Sequence, residues 1–321
     1  MKLGVVGNGM IVGWLFRDIK EIPEITATAL CVREKSREKG TELAKINGVP
    51  ELYTDYGEFL AKGDFDTVYI GIANRMHYSY VKQALLAGKH VICEKPFTLS
   101  AKEAGELARI AREGQRFLWE AFKIPYGPLF PAVKENLEKI GEIRMVQCNY
   151  SQFSSRYERY QAGIITPAFD PECGGGSLYD LNIYNLHFVT ALFGRPDQVQ
   201  YFANQGYNGI DTSGTVVLRF GSVLGVCTAA KDSGSPCYGV VQGTKGHIRI
   251  QGPVSAGRFA ELVYNDGSVV RLAEDRTDGS LTDELRVFEQ KQRQGDLDFC
   301  YEMLEHTLLV ETVLEAAAQQ R

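Results

Sequence analysis

Short β-branched and apolar runs alternate with helix-period segments through residue 121, and this alternation restricts the fold more than any other feature of the chain. The runs are 2–6, 26–32, 52–54, 67–70, 90–93 and 116–121, with helices predicted near 10–20, 37–46, 56–61, 76–87 and 101–113. Ser100 and Glu103 form a capping-box pair that fixes the start of the last helix. Strands that lack polar alternation and are separated by helices predict a parallel sheet covered on both faces. The expected class is therefore an α/β doubly wound, Rossmann-type domain.

The turn after the first run reads Gly7-Asn8-Gly9-Met10-Ile11-Val12-Gly13. Gly7 permits a tight turn, and Gly9 lets backbone N–H groups approach a pyrophosphate at the positive end of a helix. At the head of a strand–helix–strand unit this pattern marks a dinucleotide site, with Gly7, Asn8, Gly9, Met10 and Ile11 as its residues. An acid at the end of the second strand would accept the ribose 2′-OH and repel a 2′-phosphate. Arg33 stands there instead, followed by Glu34, Lys35 and Arg37. A guanidinium suits a phosphate dianion, so NADP(H) is expected to be preferred, while Glu34 keeps NAD open. By residue type alone these are also solvated charges at the start of a surface helix.

Composition bounds the remaining classes. The 321 residues correspond to about two domains at roughly 150 residues each. We expect a dinucleotide-binding domain over 1–121, then a substrate-binding and oligomerisation domain over 122–321 whose C-terminal helix can pack back on the first. The net charge of −5 and a pI near 5.7 argue against a nucleic-acid partner. No apolar run approaches the roughly 20 residues that cross a bilayer, so no membrane partner is expected. A strand-like run starting at Lys2 leaves no room for a signal peptide. Seven cysteines, without a Cys-x-x-Cys pair, read as buried thiols of a reducing, cytoplasmic compartment.

Two further segments bring a resemblance. The first runs Asp66-Thr-Val-Tyr-Ile-Gly-Ile72-Ala-Asn74, then His77, then Ala87-Gly-Lys-His-Val-Ile-Cys-Glu94-Lys95-Pro96. The second is Gly174-Gly175-Gly176-Ser177-Leu178-Tyr179-Asp180-Leu-Asn182-Ile-Tyr184. Together they resemble the Gfo/Idh/MocA oxidoreductases from residue 1 to about 200. The resemblance implies contacts to the nicotinamide ribose near Ile72, Asn74, His77, Glu94 and Lys95. Four departures stand out. Ala73 replaces a frequent Pro, and Val12 replaces a small residue, which would open the cofactor turn slightly. Asn182 stands where Gly is common. Tyr184 stands where many members carry His, and this Tyr form resembles glucose–fructose oxidoreductase and dimeric dihydrodiol dehydrogenase, not inositol dehydrogenase.

Past residue 122 the pattern changes. A Pro-rich stretch over 124–131 leads into a helix towards 137, followed by a strand over 143–153 and an irregular Tyr- and Arg-rich segment over 154–171. Arg156, Tyr157, Arg159 and Tyr160 there border the pocket, lie in solvent or meet another subunit. A helix is expected from 177 to 193, then strands near 198–203, 215–220, 223–229, 238–242, 247–251, 260–264 and 269–272, and helices over 281–293 and 297–318. Gly and Asp/Asn turns between the strands suggest antiparallel hairpins, hence an α+β second domain with an open, mostly antiparallel sheet. The resemblance implies that this sheet pairs subunits into a homodimer or homotetramer.

Three residues carry the expected chemistry. Lys95 ends a parallel strand, where ligands of such sheets lie; by type alone it is also a surface charge. Asp180 and Tyr184 are four apart and share a helix face. Ser177-x-x-Asp180 also fits a capping box, and Tyr184 also fits a core aromatic. His187, three residues on, is a partner for Tyr184 or a packing residue. In the expected mechanism Lys95 polarises the substrate oxygen and stabilises the Tyr184 phenolate, and Asp180 orients Lys95 or a substrate hydroxyl. No cluster has metal-ligand spacing. The expected activity is NAD(P)-dependent hydride transfer on a secondary alcohol or carbonyl of a small sugar, cyclitol or diol. A redox-neutral NAD-dependent glycosidase and a catalytically silent nucleotide-sensing regulator are the alternatives. The presence of both Lys95 and Tyr184 disfavours the regulator, and net cofactor consumption separates the glycosidase.

Overall fold

Six parallel strands and their crossover helices account for the first unit of the computed structural model, which describes residues 1–274 and 280–320. Residues 275–279 and 321, part of the expected second domain, lie outside the described residues. In chain order the elements are β1 (Lys2–Val6), α1 (Met10–Asp18), β2 (Thr26–Cys31), α2 (Arg37–Asn47), β3 (Glu51–Tyr53), α3 (Tyr56–Lys62), β4 (Thr67–Ile70), α4 (His77–Leu86), β5 (His90–Glu94), α5 (Ala101–Glu113) and β6 (Leu118–Ala121). The sheet order is β3-β2-β1-β4-β5-β6, and every pairing is parallel. Val68, Tyr69 and Ile70 are fully buried because helices cover both faces, which is why these strands read as continuous apolar runs. The Ser100 hydroxyl accepts from the Lys102 N–H at 3.2 Å, so α5 begins where the capping residue predicts. Strand order reverses between β1 and β4, the switch point at which such sheets open a crevice.

Residues 280–308 complete this unit. Two helices, Thr282–Gln294 and Leu297–Ala318, supply them, the second continuing beyond Leu308. The Trp119 ring stacks on Phe288 at 4.8 Å. Asp18, 2% exposed, accepts from the Leu281 N–H at 2.8 Å and the Ser280 hydroxyl at 3.3 Å.

The second unit comprises residues 122–279 and 309–321. Its elements are α6 (Leu129–Glu135), β7 (Ile143–Ser151), α7 (Tyr157–Gln161), a π-helical turn (Leu178–Asn182) running into α8 (Ile183–Phe193), and then β8 (Gln198–Gln205), β9 (Asp211–Phe220), β10 (Val223–Ala230), β11 (Tyr238–Gly243), β12 (Gly246–Gln251), β13 (Phe259–Tyr264) and β14 (Val269–Glu274). Two meanders, β8-β9-β10 and β11-β12-β13-β14, form as the hairpin turns predict. They are joined through β7, which pairs parallel to β10 and antiparallel to β11, giving one open eight-stranded sheet. Asn182 and Asn185 tie the helical segment to that sheet, donating to the Cys227 and Thr228 carbonyls of β10 at 2.9 and 3.0 Å. Asn182, in place of the common Gly, is thus a buried link to the sheet. No helix among the described residues is long and apolar enough to cross a membrane.

Burial opposes ionisation of Asp18, but hydrogen bonds from Arg17, Leu281 and Ser280 outweigh it and hold its carboxyl below the ordinary value. A carboxylate whose pKa is lowered by folding contributes stability above its unfolded pKa of about 3.9 and loses it as pH falls through the folded value. Asp18→Asn should therefore flatten the fall in stability between about pH 4 and pH 2, measured as the urea midpoint against pH. An unchanged slope would remove Asp18 from the contacts that hold residues 280–308 in place.

Candidate functional site

The crevice of the first unit is built from turns that follow β1, β2, β4 and β5. Gly7 adopts φ +116°, and a Cβ there would overlap the carbonyl oxygen of Gly71, so no other residue fits the turn. Gly9 is extended, faces open space and gives α1 no side-chain cap, while Met10 beside it is 60% exposed. Ile11 is half-buried and Asn8 partly exposed. Among the described residues no side chain caps α1, and the turn fits an anionic pyrophosphate. Val12, where a small residue is usual, is fully buried, with its Cγ2 3.0 Å from the position a Cβ on Gly71 would take. The bulk of Val12 is accommodated by the missing side chain of Gly71.

At the end of β2, Arg33 is exposed in extended backbone and makes no ion pair among the described residues. Arg37 grips Glu34 through two hydrogen bonds of 2.9 and 3.0 Å and reaches Thr54 at 3.2 Å. The Glu34 carboxylate is thus engaged by its own helix, and this pairing holds its pKa below the ordinary value. Arg33 is the guanidinium available to a ligand phosphate.

The β4 and β5 turns carry the remaining expected contacts. Ile72 and Asn74 are half-buried, Asn74 opening a 3-10 turn ahead of α4. His77 is fully buried, with Nδ1 2.8 Å from the Pro96 carbonyl and Nε2 3.3 Å from the Ile72 carbonyl. Its ring bridges the two turns and pins them together. Burial lowers its pKa, against the pull of those carbonyls. Glu94 is also buried and accepts a short hydrogen bond from the fully buried Tyr69, whose phenol is pushed far above its ordinary value by burial and by that carboxylate. Lys95 is partly exposed, and the Lys95–Pro96 peptide is cis. Glu120, unremarked in the sequence, accepts from the Phe97 N–H at 3.2 Å and from Thr307 at 2.8 Å, fixing the chain just beyond Pro96.

In the second unit Asp180 lies in the π-helical turn and Tyr184 in the first turn of α8. With Leu181, they are the partly exposed positions of a segment that is otherwise buried from Leu178 to Thr190. The Tyr184 ring lies 5.9 Å from Tyr150 of β7. His187 stacks on Phe122 at 4.0 Å and is fully buried. Ser177 and Asp180 do not form a capping box. The cap is Asp211 at the start of β9, which accepts from the Ser177 hydroxyl (2.9 Å), the Leu178 N–H (2.7 Å) and Tyr201 (2.8 Å) through one carboxylate oxygen. Gly176, at φ +100°, leaves room for that carboxylate. Asp180 instead faces Lys231, whose Nζ is 2.7 Å away. Among the described residues no group of three or more His, Cys, Asp or Glu is arranged to hold a metal.

Comparison with known proteins places this architecture. Residues 1–122 match the family model described as oxidoreductase family, NAD-binding Rossmann fold, and residues 132–249 match the GFO/IDH/MocA C-terminal domain. The chain belongs to the Gfo/Idh/MocA oxidoreductase family. Like other members, it is an oxidoreductase built on an NAD-binding Rossmann domain. Among members it is 29% identical over 320 residues to scyllo-inositol 2-dehydrogenase (NADP(+)) of Bacillus subtilis, covering 100% of this chain and 97% of that protein. It is 30% identical over 260 residues to the trans-1,2-dihydrobenzene-1,2-diol dehydrogenase of Sus scrofa, covering 79% and 75% of the two chains. The fold superposes on KijD10, a 3-ketoreductase from Actinomadura kijaniata in complex with NADP and TDP-benzene. The TM-score is 0.88 at 20% identity, over 100% and 97% of the chains.

Asp211→Ala would strip three buried donors of their acceptor. We expect a loss of about 3 kcal/mol or more, since each stranded group costs about 1–3 kcal/mol, read from the urea midpoint. A change below about 1 kcal/mol would show that water or another acceptor replaces the cap.

Proposed function

We propose that the protein is an NADP(H)-preferring dehydrogenase or reductase that interconverts a secondary alcohol and a carbonyl on a sugar, cyclitol or diol. The observation that carries the cofactor preference is the end of β2, where an exposed Arg33, without an ion pair among the described residues, replaces an acid and Glu34 is held by Arg37. The naming of NADP(+) and scyllo-inositol in the Bacillus subtilis relative supports both halves of the reading. In this reading residues 1–121 bind the cofactor and the second unit selects the substrate. The open eight-stranded sheet is the surface through which copies of the chain pair.

Bound nicotinamide supplies the hydride in reduction and accepts it in oxidation. The Lys95 ammonium polarises the substrate oxygen and stabilises negative charge on it. Tyr184 gives that oxygen its proton in reduction and takes it back in oxidation. A phenol of pKa about 10 is a weak acid and a poorly populated base near neutrality, and a neighbouring ammonium favours the phenolate that proton transfer leaves. Asp180 accepts a hydrogen bond from a second substrate hydroxyl and so orients the reacting carbon. Ile72, Asn74 and Glu94 shape the nicotinamide end of the crevice, with His77 holding their turns from beneath.

Nicotinamide absorbance across a panel of scyllo-inositol, myo-inositol, glucose and trans-1,2-cyclohexanediol, with either cofactor, tests the reading directly. Arg33→Asp should weaken NADP(H) by one to several kcal/mol, the scale of a lost charge-assisted bond plus repulsion, and leave NAD(H) nearly unchanged. An unaltered NADP/NAD ratio would take Arg33 out of the site.

Lys95→Met and Tyr184→Phe should each lower turnover by roughly 100-fold or more, the usual scale of general acid–base help. The double variant should be little worse than either single, because groups acting as one unit are not additive. Fluorescence titration should show that NADPH binding largely survives in each. Near-normal turnover in Lys95→Met would defeat the mechanism.

A further inference from the structure

Lys231 immediately follows β10, and its side chain is only 3% exposed. Its Nζ donates to the Asp180 carboxylate at 2.7 Å and to the Ala168 carbonyl at 2.8 Å, and it lies 4.8 Å over the Phe169 ring. Its backbone is fixed as well, the N–H donating to Thr212 at 2.8 Å and the carbonyl accepting from Ser154 at 2.9 Å. A buried ammonium is tolerated only while it is compensated, so its position dictates where Asp180 can stand.

The pair is asymmetric. The cation is buried, whereas the Asp180 side chain keeps 38% of its exposure. The lysine therefore fixes the carboxylate from behind and leaves it reachable from the open side of the helix. The same ammonium holds Ala168, so it also ties the segment over 154–171 to the turn that carries Asp180.

We propose that Lys231 is a positioning residue for the reaction: it fixes the Asp180 carboxylate, and the 154–171 segment with it, in the arrangement that accepts a substrate hydroxyl. The selected substrates are then polyols, with a hydroxyl beside the reacting carbon. This rests on the reading of Asp180 given above.

The test is a double-mutant cycle on the full chain, with the best polyol of the panel (scyllo-inositol first) as probe. Lys231→Met should raise the KM for the polyol about tenfold or more, the scale of one charge-assisted hydrogen bond. NADPH binding by fluorescence and the circular dichroism spectrum should stay unchanged. In the Asp180→Asn background, where the carboxylate that Lys231 fixes is already gone, adding Lys231→Met should change KM and kcat less than twofold. Wild-type kinetics in Lys231→Met, or full additivity with Asp180→Asn, overturns the proposal. Should Lys231→Met fail to fold, Lys231→Met/Asp180→Asn decides. Its folding with the kinetics of Asp180→Asn supports the proposal, and its failure to fold or slower turnover overturns it. Wild-type kinetics in Asp180→Asn alone would instead remove Asp180 from the reaction and the proposal with it.

Discussion

A carbonyl oxygen where a side chain would otherwise stand governs the first unit. Gly7 approaches Gly71 so closely that a single methyl group would overlap the oxygen. The backbone bonds around the contact follow from that closeness. Gly7 N–H donates to Cys31 at 2.9 Å, and Gly71 N–H donates to Val6 at 3.0 Å. The ends of β1, β2 and β4 therefore hold one another, and the turns bearing Gly9, Arg33 and Asn74 leave the sheet from fixed points. A phosphate-binding turn needs that rigidity, because backbone amides cannot adapt to a ligand as side chains can.

The polar residues near these turns fall into two kinds, separated by burial. His77, Glu94 and Glu120 are buried, and each holds backbone or a neighbouring side chain. Removing such groups from water costs free energy that only well-placed partners offset, so they specify one arrangement. Arg33 and Lys95 keep exposure and can meet a ligand. The same division recurs in the second unit, where buried Asp211 and Lys231 support partly exposed Asp180 and Tyr184.

This division explains which parts of the protein were legible in its sequence. Strand and helix bounds of the first unit follow from β-branched runs and from Ser100, because the forces that set them act within a few residues. The cap of the π-helical turn was not legible. Ser177-x-x-Asp180 has the right local spacing, but the carboxylate that caps Leu178 is Asp211, 33 positions away. Lys231 is 51 positions from Asp180 and sits at the end of an ordinary apolar strand, where nothing local marks it as buried. The parallel pairing of β7 with β10, within the expected mostly antiparallel sheet, has no local mark either, since turn residues identify hairpins and say nothing of strands that meet from distant parts of the chain. His77 stands out in the sequence, but its side of the turn is set by the Pro96 and Ile72 carbonyls and not by its own neighbours.

Net charge is likewise a poor guide to what the crevice attracts. The chain carries −5 overall, yet the end of β2 presents Arg33 and Lys35 exposed and without ion pairs among the described residues, while Arg37 is neutralised by Glu34. At physiological salt, charges beyond about 8 Å are largely screened, so the acids elsewhere on the surface contribute little at this point. What a 2′-phosphate would meet is decided by the groups within direct contact. There the geometry of one guanidinium outweighs the sum of the charges, because bidentate hydrogen bonding acts at a distance where screening does not reach.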